Sequence, residues 1–221
     1  MKKQVLAAAF ALLPALAVAQ ELKTEDEKVL YSLGLSLGQQ MTDLKFTPAE
    51  LELIKRGLTD STLGAKPAVQ LEEYRAKVQA LVQDRRKAAG DKLAGSGKEF
   101  ADKAAKEPGA VKTSSGMVYL SLKEGSGASP AATDKVKVSY RGTLIDGREF
   151  DSSAKHGGAI EFGLNQVIKC WTEGVQKMKV GGKAKLVCPP AIAYGERGAG
   201  GLIGPNATLV FEVELVEIKK P

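Results

Sequence analysis

The fold of the chain is decided by the stretch Gln166-Val167-Ile168-Lys169-Cys170-Trp171-Thr172-Glu173-Gly174, which carries the only tryptophan in 221 residues. Aromatic side chains make up 5% of the sequence, yet six of them lie in one C-terminal stretch, at Tyr140, Phe150, Phe162, Trp171, Tyr194 and Phe211. Because aromatic rings bury large apolar areas, this concentration builds either a packed core or an apolar pocket. For Phe162 or Phe211 taken alone, core packing is the favoured interpretation.

The residues around this stretch alternate between apolar and polar, which is the pattern of half-buried β-strands. Val136, Val138 and Tyr140 form one such strand, and the last strand has apolar residues at positions 209, 211, 213 and 215. Asp146-Gly147 predicts a tight hairpin turn. One short helical pattern follows, at 171–178. The pattern therefore predicts an α+β fold for residues 110–221, with an antiparallel sheet laid against one helix.

The first half of the chain has helical periodicity instead. Thr24 followed by Glu27 predicts a capping box at the start of one helix, and Thr47-Pro48 predicts the start of another. A third helix is predicted within 69–109, and glycines at 90, 95 and 97 weaken its middle, which favours a break or bend.

The three predicted helices have too few apolar side chains to bury much apolar surface on their own. We therefore expect residues 20–68 to form a helical dimerisation domain that pairs with a second copy, and residues 69–109 to form a long connecting helix. A monomeric helical appendage is the alternative.

The N-terminus has the pattern of a secretory signal peptide at residues 1–19. Lys2 and Lys3 precede an apolar run, and Ala17-Val18-Ala19 forms a small-residue cleavage site. A retained membrane anchor is the less favoured alternative, because the run is short for a membrane span. The pattern predicts export to the periplasm, with an outer-membrane-associated or secreted location as alternatives.

Composition excludes several classes of function. The formal charge of +6 is spread along the chain without a basic patch that interleaves with aromatics, which argues against nucleic-acid binding. With His156 as the only histidine, a two-histidine zinc site is impossible, and the two cysteines lack metal-ligand spacing. The glycines at 195–204 do not fit a nucleotide-binding loop.

An apolar pocket with few polar groups suits rotation about the peptide bond before proline. The barrier of about 18–20 kcal/mol comes from amide resonance, and no covalent bond is broken. The reaction therefore needs no nucleophile, metal or cofactor.

At these residues the chain resembles the FKBP-type peptidyl-prolyl cis-trans isomerases, over about residues 113–219. In its domain order it resembles their Mip/FkpA-like subgroup. The resemblance implies a sheet of five or six antiparallel strands wrapped on one short helix. It also implies a pocket lined by Tyr140, Phe150, Asp151, Phe162, Val167, Ile168, Trp171, Tyr194, Leu202, Ile203 and Phe211.

The same resemblance implies a role for individual residues. Trp171 is expected to form the pocket floor, while the Ile168 N–H and the Tyr194 hydroxyl hold substrate carbonyls. Asp151, hydrogen-bonded by Tyr140, is expected to act electrostatically beside the twisting amide.

One departure from the family pattern is Cys170, where glycine usually precedes the tryptophan. Cys170 begins the predicted helix, and Cys188 points inward from a strand that faces it. We expect a disulfide between them, which closes a loop and contributes about 3 kcal/mol to the free energy of unfolding. Two buried free thiols are the alternative, less favoured in an exported protein.

The implied partners are proline-containing unfolded or exported polypeptides, and tacrolimus- or rapamycin-type macrolides. The main hypothesis is a periplasmic prolyl isomerase with chaperone activity. The alternative is a non-catalytic holdase or surface virulence-associated binding protein. The presence of both Asp151 and Tyr194 favours the isomerase.

Overall fold

The computed structural model of the protein describes residues 21–219. They fall into two units, one ending at Leu37 and one beginning at Gly38. The predicted signal peptide and its cleavage site lie outside the described residues. Within residues 21–219 there are four α-helices: α1 (Glu25–Gln39), α2 (Pro48–Thr62), α3 (Leu71–Ala104) and α4 (Lys169–Val175). None of these helices is long and apolar enough to cross a bilayer.

Capping boxes start the first two helices, at the two positions predicted as helix starts. The Glu27 N–H donates to Thr24 Oγ1 over 3.1 Å, and the Thr24 N–H donates back to Glu27 Oε2 over 2.9 Å. At α2, Thr47 and Glu50 make the same reciprocal pair. These bonds satisfy N–H groups that a helix leaves without partners in its first turn.

The start of α2 is tied to α3 through Arg85. Its guanidinium donates to the Leu44 carbonyl oxygen over 3.0 Å, pairs with the Glu50 carboxylate and lies 4.8 Å from the centre of the Phe46 ring. The hydrogen bond from Arg85 is the largest cause that lowers the pKa of Glu50 to about 2. Glu50 therefore caps α2 and anchors it to α3 at the same time.

The C-terminal half is one sheet of seven strands among the described residues. They are β1 (Val111–Lys112), β2 (Val118–Lys123), β3 (Lys135–Leu144), β4 (Glu149–Ser152), β5 (Ile160–Gly163), β6 (Lys183–Cys188) and β7 (Leu209–Lys219). Their order is β1-β2-β6-β7-β3-β4, with β5 also paired to β3, and every pairing is antiparallel. The predicted fold class is confirmed, and the strand count exceeds six because β1 adds a two-residue edge strand.

The turn between β3 and β4 forms at Asp146-Gly147, as predicted. Gly147 has a φ of +86°, and its N–H donates to the Leu144 carbonyl over 3.0 Å. A side chain is strained at this φ, which is why glycine fits the turn. The hairpin brings β4, and with it Phe150 and Asp151, alongside β3.

The main core lies between the sheet and α4, which is one turn shorter at its C-terminal end than predicted. Leu186 and Cys188 point toward α4, whereas Val187 packs with Ala101 and Ala104 of α3. Since side chains alternate across a strand, α3 and α4 cover opposite faces of the sheet. The C-terminal part of α3 is thus packed against the sheet.

The glycines of α3 permit this close packing. Helix α3 is continuous from Leu71 to Ala104, so the glycines do not break it. Gly90 and Gly97 are both buried and face the segment 205–208, and a Cβ placed on Gly97 comes within 2.8 Å of the Thr208 Cβ. Their small size serves tertiary packing, which outweighs their poor helix propensity.

A pair of glycine substitutions separates these two effects. We expect Gly97→Ala to lower the free energy of unfolding by about 1–3 kcal/mol, because its methyl group overpacks against the buried Thr208. Gly95→Ala meets no atom within 4 Å and is expected to raise the free energy by about 1 kcal/mol through helix propensity. Urea denaturation measures both. Stabilisation by Gly97→Ala contradicts the packing role.

Candidate active site

The predicted site residues converge on a cavity of about 320 Å³ beside α4. Ligand pockets begin at roughly this volume, about 300 Å³. The cavity is lined by Tyr140, Phe150, Asp151, Phe162, Gln166, Val167, Ile168, Trp171, Tyr194 and Phe211. Aromatic rings from four strands, one helix and one loop therefore form a single cup.

Trp171 forms the floor of this cup. Three rings stand nearly perpendicular to the indole: Tyr140 at 5.1 Å between centroids, Phe211 at 5.3 Å and Phe162 at 5.7 Å. Edge-to-face contacts of this kind are favoured between aromatic rings. The indole is only 5% exposed, but the cavity opens above it, so it is not sealed by its neighbours.

A disulfide and a hydrogen bond restrain the residues on either side of Trp171. Trp171 lies in the first turn of α4, and the preceding residue, Cys170, forms a disulfide with Cys188 at the end of β6, with 5.7 Å between the Cα atoms. Both cysteines are fully buried. On the other side of Trp171, the Thr172 hydroxyl donates to the Leu164 carbonyl over 2.5 Å. The predicted disulfide is therefore present, and it joins helix to sheet directly behind the floor.

Among residues 21–219, Asp151 is the only carboxylate that lines the cup, and it accepts three hydrogen bonds. The Tyr140 hydroxyl donates to Oδ2 over 2.5 Å, and the Ser152 N–H donates to Oδ1 over 2.9 Å. His156 Nε2 lies 3.0 Å from Oδ1. Burial raises the pKa of Asp151, but these hydrogen bonds outweigh it and hold the pKa below its ordinary value. Asp151 is therefore ionised at neutral pH.

The two tyrosines of the site stay protonated. Burial, followed by the hydrogen bond to Asp151, raises the pKa of Tyr140 far above its usual value. Burial and the negative charge of Asp151 also raise the pKa of Tyr194. The Tyr194 side chain is 40% exposed at the rim, and its hydroxyl makes no hydrogen bond with the residues that the structure describes. It is available as a donor to a ligand.

Val167 and Ile168 lie at the entry to α4. Ile168 is the N-cap residue of the helix, with φ −58° and ψ 147°, and its carbonyl accepts from the Trp171 N–H over 2.9 Å. Its own N–H donates to no acceptor within residues 21–219. This backbone donor lies beside the cavity, where the resemblance places a contact to substrate.

Two predicted lining residues lie elsewhere. Leu202 lines a separate cavity of about 340 Å³ between α3 and the β3–β4 hairpin, and Ile203 is 8% exposed within the core cluster. The Ala199 and Ile203 backbones pair through hydrogen bonds of 2.9 and 3.0 Å, which fixes the loop in this position. A substrate contact by either residue stays a prediction.

Gln166 also lines the cup, although the sequence did not predict this role. Nothing in its residue type sets it apart, since a glutamine in a loop is normally solvated. The one available signal was its position next to Val167. Within residues 21–219, no group of three or more His, Cys, Asp or Glu side chains could hold a metal ion.

Comparisons with known proteins agree with this geometry. Residues 127–216 match the family described as FKBP-type peptidyl-prolyl cis-trans isomerase. Residues 26–120 match the domain amino terminal to FKBP-type peptidyl-prolyl isomerase. The chain is 43% identical to the FKBP-type peptidyl-prolyl cis-trans isomerase FkpA of Aeromonas hydrophila, over 94% of this chain and 82% of that protein.

Two further relatives support the assignment. The outer membrane protein MIP of Legionella longbeachae is 36% identical, over 91% of this chain and 89% of that protein. The crystal structure of FkpA from Escherichia coli superimposes with a TM-score of 0.68 at 38% identity, covering 90% of this chain and 99% of that chain. The chain belongs to the FKBP-type peptidyl-prolyl cis-trans isomerases.

Proposed function

We propose that the aromatic cup binds the ring of a substrate proline and speeds rotation of the peptide bond that precedes it. The observation that carries this proposal is the position of one ionised carboxylate, Asp151, at the edge of a cavity floored by Trp171 and walled by aromatic rings. A proline ring is apolar and compact, so it fits such a cup. The amide before it then lies near the carboxylate.

The cup can favour the twisted amide over both planar isomers. The planar amide is more dipolar, and water solvates it better than the twisted form. A dry aromatic environment removes this preference, and each tenfold gain in rate requires about 1.4 kcal/mol of differential stabilisation.

The polar groups at the rim supply the remaining stabilisation. The Tyr194 hydroxyl and the Ile168 N–H are free donors for substrate carbonyl oxygens, and they orient the peptide across the cup. The Asp151 carboxylate faces the amide carbon, which becomes more ketone-like and more electrophilic as the amide twists. Its action is electrostatic, because rotation requires no proton transfer.

A protease-coupled assay tests this function directly. The chain is expected to accelerate cis-trans isomerisation of a short proline peptide, and a tacrolimus-type macrolide is expected to compete for the cup. If the chain binds unfolded polypeptides but does not accelerate the peptide reaction, the holdase alternative is correct instead.

We also propose that the N-terminal helices pair with a second copy. Six large apolar residues of α1 are exposed by 42–67%, and no residue of the helix is buried: Val29, Leu30, Tyr31, Leu33, Leu35 and Leu37. An exposed apolar surface of this kind marks a site that another protein covers. Helix α2 also has no buried residue, although Leu51, Leu53 and Leu58 are exposed apolar side chains.

Sedimentation of the mature chain at micromolar concentration tests the dimer. We expect twice the chain mass for the wild type, and a monomer for Leu33→Glu/Leu37→Glu, because burying two carboxylates in an apolar interface is costly. Gln39→Glu adds one charge at the end of the same helix and is expected to leave the dimer intact. A monomeric wild type contradicts the proposal.

The proposed location is the periplasm, with outer-membrane association as the alternative. The signal pattern supports export, and the buried disulfide is typical of an oxidising compartment. In a dimer, two cups act on one client chain, which raises the effective concentration for polypeptides with several prolines. This arrangement supports a chaperone activity beside the isomerase.

A further inference from the structure

The only histidine of the chain lies against the carboxylate of the proposed active site. His156 ends the 3₁₀ turn Ser153–His156, and its Nε2 is 3.0 Å from Asp151 Oδ1. The turn is closed by the N–H groups of Gly157 and Gly158, which donate to the carbonyls of Ala154 and Ser153 over 3.3 and 2.9 Å. The backbone of the turn therefore places His156 beside Asp151, and its side chain is 52% exposed.

The other charged groups near Asp151 are already paired. Lys155 Nζ lies 3.4 Å from Glu149 Oε1, and Arg141 Nε lies 2.9 Å from Glu149 Oε2. Tyr140, on β3, donates to the far oxygen of Asp151, and Tyr194 faces it across the cup as a neutral phenol. Among the described residues, His156 is the one basic side chain in hydrogen-bond contact with this carboxylate.

We infer that His156 is a positioning residue that sets the effective charge of Asp151, so that isomerase activity falls when the imidazole gains a proton. This inference rests on the proposed function of the cup. The neutral imidazole can donate its Nε2–H and hold the carboxylate in place. The imidazolium makes the same hydrogen bond but adds a positive charge 3.0 Å from Oδ1, which weakens the negative field at the substrate amide.

The chemistry of imidazole makes this control available near neutral pH. Histidine is the side chain whose charge ordinarily changes between about pH 5 and pH 8. Because the pair is half-exposed, solvent screens its interaction, and the expected effect on rate is about two- to threefold. Asp151 is ionised throughout this interval, since its pKa lies below the ordinary value, so it does not itself produce the change.

The test is the pH profile of kcat/KM for a proline peptide, measured without a coupling protease by exchange NMR between pH 5.5 and pH 8. The wild type is expected to rise by about two- to threefold over this interval. His156→Gln keeps an amide donor without a charge, and its profile is expected to be flat near the wild-type upper plateau. His156→Arg keeps a permanent charge, and its profile is expected to be flat near the lower plateau.

Lys155→Gln is the matched control, because Lys155 lies on the same turn and contacts Glu149 instead of Asp151. It is expected to keep the wild-type profile. A flat or falling wild-type profile, or a rise that persists in His156→Gln, overturns the inference while the isomerase function stands. If Asp151→Ala has wild-type activity, the inference fails, and if Tyr194→Phe is also unchanged, the proposed site fails with it. Near-UV circular dichroism verifies that each variant is folded.

Discussion

Asp151→Ala is expected to lower kcat/KM for a proline peptide by about 10- to 100-fold, or about 1.4–2.7 kcal/mol of transition-state stabilisation. The substitution removes the carboxylate that lines the cup and leaves the Tyr140 hydroxyl without its acceptor. Since the field acts on the twisted amide more than on the planar one, the loss is expected in kcat more than in KM. The measurement is the isomerisation assay at neutral pH.

Two comparison variants make this result specific. Glu161→Ala removes a carboxylate from β5 that pairs with Lys219 outside the cup, and its activity is expected to equal that of the wild type. Tyr194→Phe removes one rim donor and is expected to cost about tenfold, the value of one hydrogen bond. Unchanged activity in both Asp151→Ala and Tyr194→Phe would show that the site assignment is wrong.

The hydrogen bonds of Asp151 determine how its contribution to isomerase activity depends on pH. Its pKa is depressed in the folded protein, so the carboxylate stays ionised as the pH falls through the ordinary aspartate range. Activity that depends on the ionised form is therefore present above the depressed pKa and is lost only below it. Tyr140→Phe removes one donor, which raises the pKa of Asp151, and the acid limb of the activity profile is expected to move to higher pH.

The parts of the fold that the sequence predicts best depend on local chemistry. Thr24 and Glu27 are three residues apart, and the capping box that they form needs no other part of the chain. The Asp146-Gly147 turn is equally local, because glycine accepts the positive φ that the hairpin requires. Apolar and polar residues alternate along β3 and β7 because one face of each strand is buried. This pattern predicts a strand even when the neighbouring strands are unknown.

Features that depend on distant contacts could not be read from the sequence. Gly90 and Gly97 favour a break in the helix by propensity, but their lack of a side chain allows α3 to approach segment 205–208, and the helix stays continuous. Leu202 lines a cavity beside α3, at a place set by the packing of that helix on the loop. Within the site, the aromatic side chains were predictable by resemblance, whereas Gln166 has no distinguishing residue type.

Removal of the Cys170–Cys188 disulfide is expected to have the largest effect on stability. The bond closes a loop with a sequence separation of 18, and opening it restores entropy to the unfolded chain. We expect Cys170→Ala/Cys188→Ala to lower the free energy of unfolding by about 3 kcal/mol. Both positions are fully buried, so alanine avoids placing a new polar group in the core. Urea denaturation measures the difference.

The position of the bond adds an expectation for activity. Cys170 directly precedes Trp171, and Cys188 ends the strand behind it, so the bond restrains the floor of the cup as well as the fold. The double variant is therefore expected to bind a proline peptide more weakly than the wild type at temperatures where both are folded. A general loss of stability does not weaken binding by the folded protein. Gly97→Ala is the comparison, because it destabilises the α3 contact, which lies away from the cup. Two free thiols in unreduced protein, or equal binding by the wild type and the double variant, would show that the disulfide does not restrain the floor of the cup.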